Sequence, residues 1–166
     1  MTTILKIFTL FIFLNVTSCT KENASTETGT NTMTALVDGK HFEKKACWSC
    51  LKGGSAIDVF HNDTVFSVVA EDMDQKLTIE LGIKSLNAPG LYTLSSRDKN
   101  FAILRNYNSP YSSYSTSNIN TGRVNITKLD LSRHIITGTF EFSAINEKNS
   151  AQTVNVTAGN FDVTYK

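Results

Sequence analysis

The sequence predicts an all-β protein, a single antiparallel β-sandwich or flattened β-barrel of roughly 8–10 strands that follows a signal peptide and a disordered tether. Three observations predict it. From Gly122 to Ala144 two runs alternate apolar and polar side chains: Val124 and Ile126 between Asn125 and Thr127, then Ile136, Gly138, Phe140, Phe142 and Ala144 between Thr137, Thr139, Glu141 and Ser143. That period of two belongs to a half-buried strand. Short apolar runs elsewhere are separated by turn-forming residues, as at Asp38-Gly39, Asn62-Asp63 and Asn87-Ala88-Pro89-Gly90. No stretch sustains a helical period, so the crossover helices that a parallel sheet needs are missing from the pattern.

Taken in order, residues 1–18 read as a lipoprotein signal peptide. Lys6 precedes an apolar run from Ile7 to Leu14, followed by small and polar residues before Cys19. The run is short for a membrane span, and its flanks are those of a cleaved export signal. Val16-Thr17-Ser18-Cys19 resembles the bacterial lipobox in a relaxed form similar to that of Bacteroidota, with Val16 and Ser18 where leucine and glycine or alanine are favoured. The resemblance implies that Cys19 is lipidated, carrying diacylglyceryl and a fatty acyl chain such as palmitate. Each buried methylene then contributes about 0.8 kcal/mol, and several chains on one residue make a durable anchor.

Residues 19–32 form the lipidated cysteine and a flexible linker. Between Thr20 and Thr32 Ala24 is the sole apolar side chain, too little to offset the entropy of ordering, and a coil of this length reaches roughly 20 Å. Lys21-Glu22 suits a surface-export signal and a soluble linker equally. Residues 33–166 then suffice for one domain with a proper core. Of 16 basic residues Lys6 leaves with the signal, so 15 face 15 acidic ones. Such a balance provides no steering toward nucleic acid.

Within the domain, Ala35, Val37 and Phe42 flank Asp38-Gly39 and predict a first hairpin with a tight primed turn. Ser55 to His61 and Thr64 to Ala70 predict a second, with Asn62-Asp63 between. Lys76 to Ile83 alternates, with Leu77, Ile79, Leu81 and Ile83 on one side. Leu91 to Leu94 and Phe101 to Arg105 follow as strands. The central hairpin turns through Asp130, Ser132 and Arg133. Thr153 to Thr157 and Asn160 to Tyr165 close the chain, with Gly159 marking a bulge or a tight turn. Hairpin connections suggest a meander.

The C-terminal runs Gly122-x-Val124-x-Ile126-Thr127-Lys128-x-Asp130, Ile136-x-Gly138-Thr139-Phe140-x-Phe142-x-Ala144 and Val154-x-Val156-Thr157-x-Gly159-x-Phe161-Asp162-Val163, after a start at Met33-Thr34-Ala35-x-Val37-Asp38-Gly39-Lys40, resemble a group of uncharacterised Bacteroidota lipoproteins that share a domain of unknown function. The resemblance implies a cell-envelope location and brings no catalytic residues with it.

The candidates for chemistry are few. Cys47-Trp48-Ser49-Cys50 has the spacing of a redox or metal motif, and export favours oxidation. A redox pair needs a helix end to lower a thiol pKa, and a zinc site needs two more ligands. A local disulfide between Cys47 and Cys50, free thiols and a redox or metal role all remain open, with the disulfide first. Asn106 to Asn120 interleaves Tyr107, Tyr111 and Tyr114 with Ser and Asn, the mix of rigid aromatic area and adaptable hydrogen bonding found in antibody loops. With Trp48 these tyrosines are the candidate ligand contacts, suited to sugar rings; a plain Tyr-rich hairpin accounts for the same letters. Asp72 and Asp74 read as a solvated acidic turn, because the rest of a calcium loop is missing. His41, His61 and His134 form no ligand spacing, and neither a nucleophile turn nor a phosphate loop is present. No cofactor is implied. The function these features suggest is a lipid-anchored cell-envelope lipoprotein of the outer membrane that binds a glycan or an envelope protein. The alternative is a small barrel that carries an apolar ligand, and an enzyme stands last.

Overall fold

Period-two runs become a fold when turns decide which of them pair. The computed structural model describes residues 27–46 and 55–166, and among these the chain forms strands and no helix. In order the strands are β1 (Thr32–Val37), β2 (Lys40–Glu43), β3 (Ile57–His61), β4 (Val65–Asp72), β5 (Leu77–Lys84), β6 (Gly90–Leu94), β7 (Phe101–Asn106), β8 (Ser112–Ser115), β9 (Gly122–Asp130), β10 (Ile135–Asn146) and β11 (Thr153–Thr164). Cys19, Cys47, Trp48 and Cys50 lie outside the described residues.

All strand pairs are antiparallel. The predicted hairpins form. At the first, Asp38 and Gly39 take φ of 46° and 79°, both in the left-handed region that a two-residue primed turn demands, which explains a glycine at the second position. At the β9–β10 turn the Asp130 carboxylate accepts from the Ser132 hydroxyl at 2.8 Å, the Arg133 amide at 3.0 Å and Arg133 Nε at 2.7 Å. These bonds, the Arg133 side chain foremost, hold its carboxyl well below the ordinary aspartate range.

Three expectations change. The two C-terminal runs are one strand, β11 (Thr153–Thr164), and of the bulge and the tight turn expected at Gly159 it is the bulge that forms: the register shifts against both neighbours around Ala158, itself at φ 49°, and the strand bends without stopping. The Asn106 to Asn120 segment contains β8. The connectivity is also no simple meander, for β6 leaves β5 to pair with β9, and β7 takes the place beside β5.

The sheet therefore has two halves. β2, β1, β11, β10, β9 and β6 make one; β3, β4, β5, β7 and β8 make the other. They join where Ile145 and Asn146 at the end of β10 pair with Ser115 and Tyr114 of β8. On the opposite side Lys45, just past β2, bridges to Asp72 at the end of β4. This is a curled antiparallel sheet that makes a flattened half-barrel. Its interior is filled from both halves: Phe66 of β4 stacks on Phe161 of β11 with ring centroids 5.9 Å apart, and Phe140 lies 6.3 Å from Phe161. An apolar-ligand carrier would need this space for a lined cavity.

The last part of the polar leader is bound to the barrel. The Asp162 carboxylate, buried on β11, accepts from the backbone amides of Thr28, Gly29 and Thr30 at 3.0, 2.8 and 3.3 Å and from the Thr30 hydroxyl at 3.1 Å. Asn31 Oδ1 accepts from the Thr164 amide at 2.8 Å and the Thr164 hydroxyl at 3.1 Å. Lys128 Nζ donates to the Glu27 carbonyl at 3.0 Å. Composition alone placed these residues in the linker, because polar side chains that fold onto a distant carboxylate look the same as polar side chains in water.

Burial alone would raise the Asp162 pKa, but the three amides and the Thr30 hydroxyl outweigh it and lower it. A depressed folded pKa means that this clasp is complete above the unfolded value of about 3.9 and weakens as pH falls through the folded one. The carboxyl carbon of Asp162 should therefore titrate below the ordinary aspartate midpoint by NMR, with the amide signals of residues 28–30 moving at the same midpoint. Titration at or above the ordinary value would contradict the clasp.

Candidate functional site

Three connections meet at one end of the barrel: the β1–β2 turn, the β4–β5 turn and the β7–β8 loop. Asp72 organises the second. Its Oδ1 accepts from the amides of Asp74 at 3.1 Å and Gln75 at 3.0 Å, and its Oδ2 from Gln75 Nε2 at 2.5 Å. Gln75 Nε2 also donates to the His41 carbonyl at 2.7 Å, which ties this turn to β2. Asp74 pairs with Lys45, and that hydrogen bond raises the Lys45 pKa. The turn read as acidic and solvated is thus a braced corner with Asp72 buried, its carboxylate oxygens committed to backbone amides and to Gln75. Asn108 Nδ2 donates to the Gln75 carbonyl at 2.9 Å and to Asn106 Oδ1 at 2.8 Å, while the Tyr107 amide donates to the Lys76 carbonyl at 2.9 Å. The β7–β8 loop is locked onto the β4–β5 turn.

Between these connections lies a concavity of about 420 Å³. Val37, Leu77, Leu104 and Val154 line it with Tyr114, and Asp38, Lys40, Gln75, Asn106 and Asn108 add polar groups. Polar groups make up more of its wall than apolar ones, which suits a polar ligand more than an apolar one. Beside it, Met73, Leu77 and Tyr107 line a more apolar hollow of about 360 Å³ that Lys76 and Glu71 flank. The Tyr107 and Tyr111 rings sit 5.5 Å apart with a 50° tilt, and 53 % and 48 % of the two residues is exposed.

The structure thus divides the three tyrosines of the predicted surface. Tyr107 and Tyr111 form an exposed pair at the tip, while Tyr114, on β8, packs against the core and lines the first hollow. Sequence reasoning missed Asp38, Lys40, Gln75 and Asn108 here. Asp38 carried a signal only as a turn residue, and nothing local shows that the other turns meet it.

The histidines behave differently from their spacing. His61 on β3 and His134 in the β9–β10 turn flank one ring, Tyr165, at 4.7 and 4.9 Å. They lie at the end of the barrel away from the tyrosine pair. Burial raises the Tyr165 pKa, and the Asp130 charge adds to that. His41 sits 3.8 Å from Glu43. Among the described residues no three His, Cys, Asp or Glu side chains converge in a way that could hold a metal ion.

A family described as Domain of unknown function (DUF6252) matches residues 49–163, more than half of the chain. The chain belongs to this family. No curated protein and no solved structure matches it. The DUF6252 span contains β3 to β10 and almost all of β11, and therefore the tyrosine pair, Gln75, Asn106 and Asn108. The β1–β2 hairpin, which supplies Val37, Asp38 and Lys40 to the hollow, precedes it.

Proposed function

We propose that this DUF6252 protein is a lipid-anchored lipoprotein of the cell envelope, exported by residues 1–18, acylated at Cys19 and held at the outer membrane of a member of the Bacteroidota, whose barrel binds a glycan at the end built from the β1–β2, β4–β5 and β7–β8 connections. The observation that carries the binding reading is the exposed Tyr107–Tyr111 pair beside a braced hollow with amide-rich walls. Flat aromatic faces suit the C–H faces of sugars, and the groups that the braced turns leave over, the side-chain amide oxygens of Gln75 and Asn108 and Nδ2 of Asn106, suit their hydroxyls. The mutual hydrogen bonds of the turns support preorganisation, which spares a ligand the cost of ordering the loops. The interior packed by Phe66, Phe140 and Phe161 favours this reading over an apolar-ligand carrier. The role is binding, without a catalytic step.

Two arms test it. Replacing Cys19→Ser should move the protein from the membrane to the soluble fraction; retention in membranes would exclude the anchor. Titrating the protein with a panel of soluble oligosaccharides of glucose, galactose and N-acetylglucosamine should find a binder whose affinity drops roughly threefold to tenfold in Tyr107→Ala and Tyr111→Ala. A panel without a binder, or a binder indifferent to both changes, would exclude the glycan site.

A further inference from the structure

The clasp on Asp162 lies where the chain enters β1, since Thr32 pairs with Asp162 across the β1–β11 ladder. Asp162 pairs across the sheet with Thr137 of β10, near the end that carries Tyr165, His134 and the β9–β10 turn. Val154, which lines the tyrosine-end hollow, pairs with Ala144, further along the same strand. Seven residues of strand separate the two levels, roughly 23 Å at about 3.3 Å per residue. The binding end and the exit point of the leader are therefore at opposite ends of the barrel.

The clasp shortens the leader as well. From Cys19 to Thr32 a fully drawn chain reaches roughly 44 Å, but from Cys19 to Glu27 only roughly 27 Å. With the longer reach the barrel could stand either way up on a membrane. With the shorter one, turning the tyrosine end toward the bilayer would require an almost straight leader along the whole barrel.

We propose that the hydrogen bonds of residues 28–31 to Asp162 and Thr164 act as an orienting clasp, holding the β9–β10 end of the barrel against the anchoring membrane and directing the Tyr107–Tyr111 end away from it. This inference rests on the lipid anchor at Cys19 and adds a direction to it. An outward tyrosine end faces ligands that are not part of the anchoring bilayer, so the glycan it takes is a soluble or extended chain and not the headgroup of a lipid in that bilayer.

The test uses the full lipidated protein in phosphatidylcholine–phosphatidylethanolamine vesicles that carry a headgroup-attached energy acceptor. A fluorescent amino acid is placed either at position 131, in the exposed β9–β10 turn, or at position 111, in the tyrosine pair. Transfer from position 131 should exceed that from 111 roughly twofold or more, given their separation along the barrel. Asp162→Ala should bring the two values together. So should a flexible Gly-Ser insertion before Glu27, which leaves the barrel and the clasp untouched and serves where the Asp162 variant does not fold. Uptake into vesicles with equal transfer from both positions would overturn the orientation alone, as would a difference that survives both changes. No uptake with Cys19 intact would overturn the anchor and the orientation together.

Discussion

Phe161→Ala is expected to destabilise the domain by about 3–5 kcal/mol, the range for losing a large aromatic from a core that cannot collapse. Phe161 is fully buried on β11 and packs on Phe66 and Phe140. Its backbone is held from both sides, opposite Met33 of β1 and opposite Gly138 of β10. A side chain built on Gly138 would come within 2.9 Å of the Phe161 ring, so the ring fills space that no neighbouring side chain can take over. Strand backbones pinned by two ladders move little, and the cavity stays. Urea unfolding of the two proteins measures the difference, provided that both lose their β signal in a single transition. Phe161→Leu, which keeps most of the volume, should cost less than about 1.5 kcal/mol. A loss below about 1 kcal/mol for the alanine variant would mean that the two halves of the sheet do not depend on this contact.

Gly122→Ala is expected to cost about 2–3 kcal/mol by overpacking, although it adds a single methyl group. Gly122 starts β9, between Phe142 of β10 and Leu94 of β6. A Cβ there would lie 2.3 Å from the Phe142 Cβ and 2.5 Å from the Glu141 carbonyl oxygen. These are atoms at or next to the main chain of a paired strand, so relief requires the ladder itself to open. Gly39→Ala provides the comparison. Nothing lies within 4 Å of its Cβ, and its φ of 79° leaves only the left-handed backbone cost, about 1 kcal/mol. The two variants, unfolded side by side, separate close approach from backbone strain. Equal costs would show that β9 and β10 can part at Gly122 without loss.

How much of this was legible depended on range. Asp38-Gly39, Asn62-Asp63 and the Asp130 to Arg133 turn were readable because each turn is decided by a few adjacent residues. The buried faces of β5, β9 and β10 were readable because side chains on a strand alternate whatever the strand pairs with. The tyrosine segment was recognisable as a surface by composition, yet its division into an exposed pair and a core-facing Tyr114 depends on β8 pairing with β7 and with the far end of β10. His61 and His134 looked unrelated until both met Tyr165. Asp72 looked like a solvated acid, because its partners, the amides of Asp74 and Gln75, become donors only when the turn closes.

By itself the sequence determined the class of fold, the hairpins and which face of each strand turns inward, since period and turn chemistry are local. Only the tertiary structure decided that β6 crosses to β9, that three turns converge into a hollow beside the tyrosines, and that residues 28–30 find Asp162 more than 130 positions away. Each of these is a choice among many polar or apolar partners of similar local character. The choice is made by which closure of the sheet leaves the fewest apolar faces and buried polar groups unsatisfied, a property of the whole chain that no single segment carries.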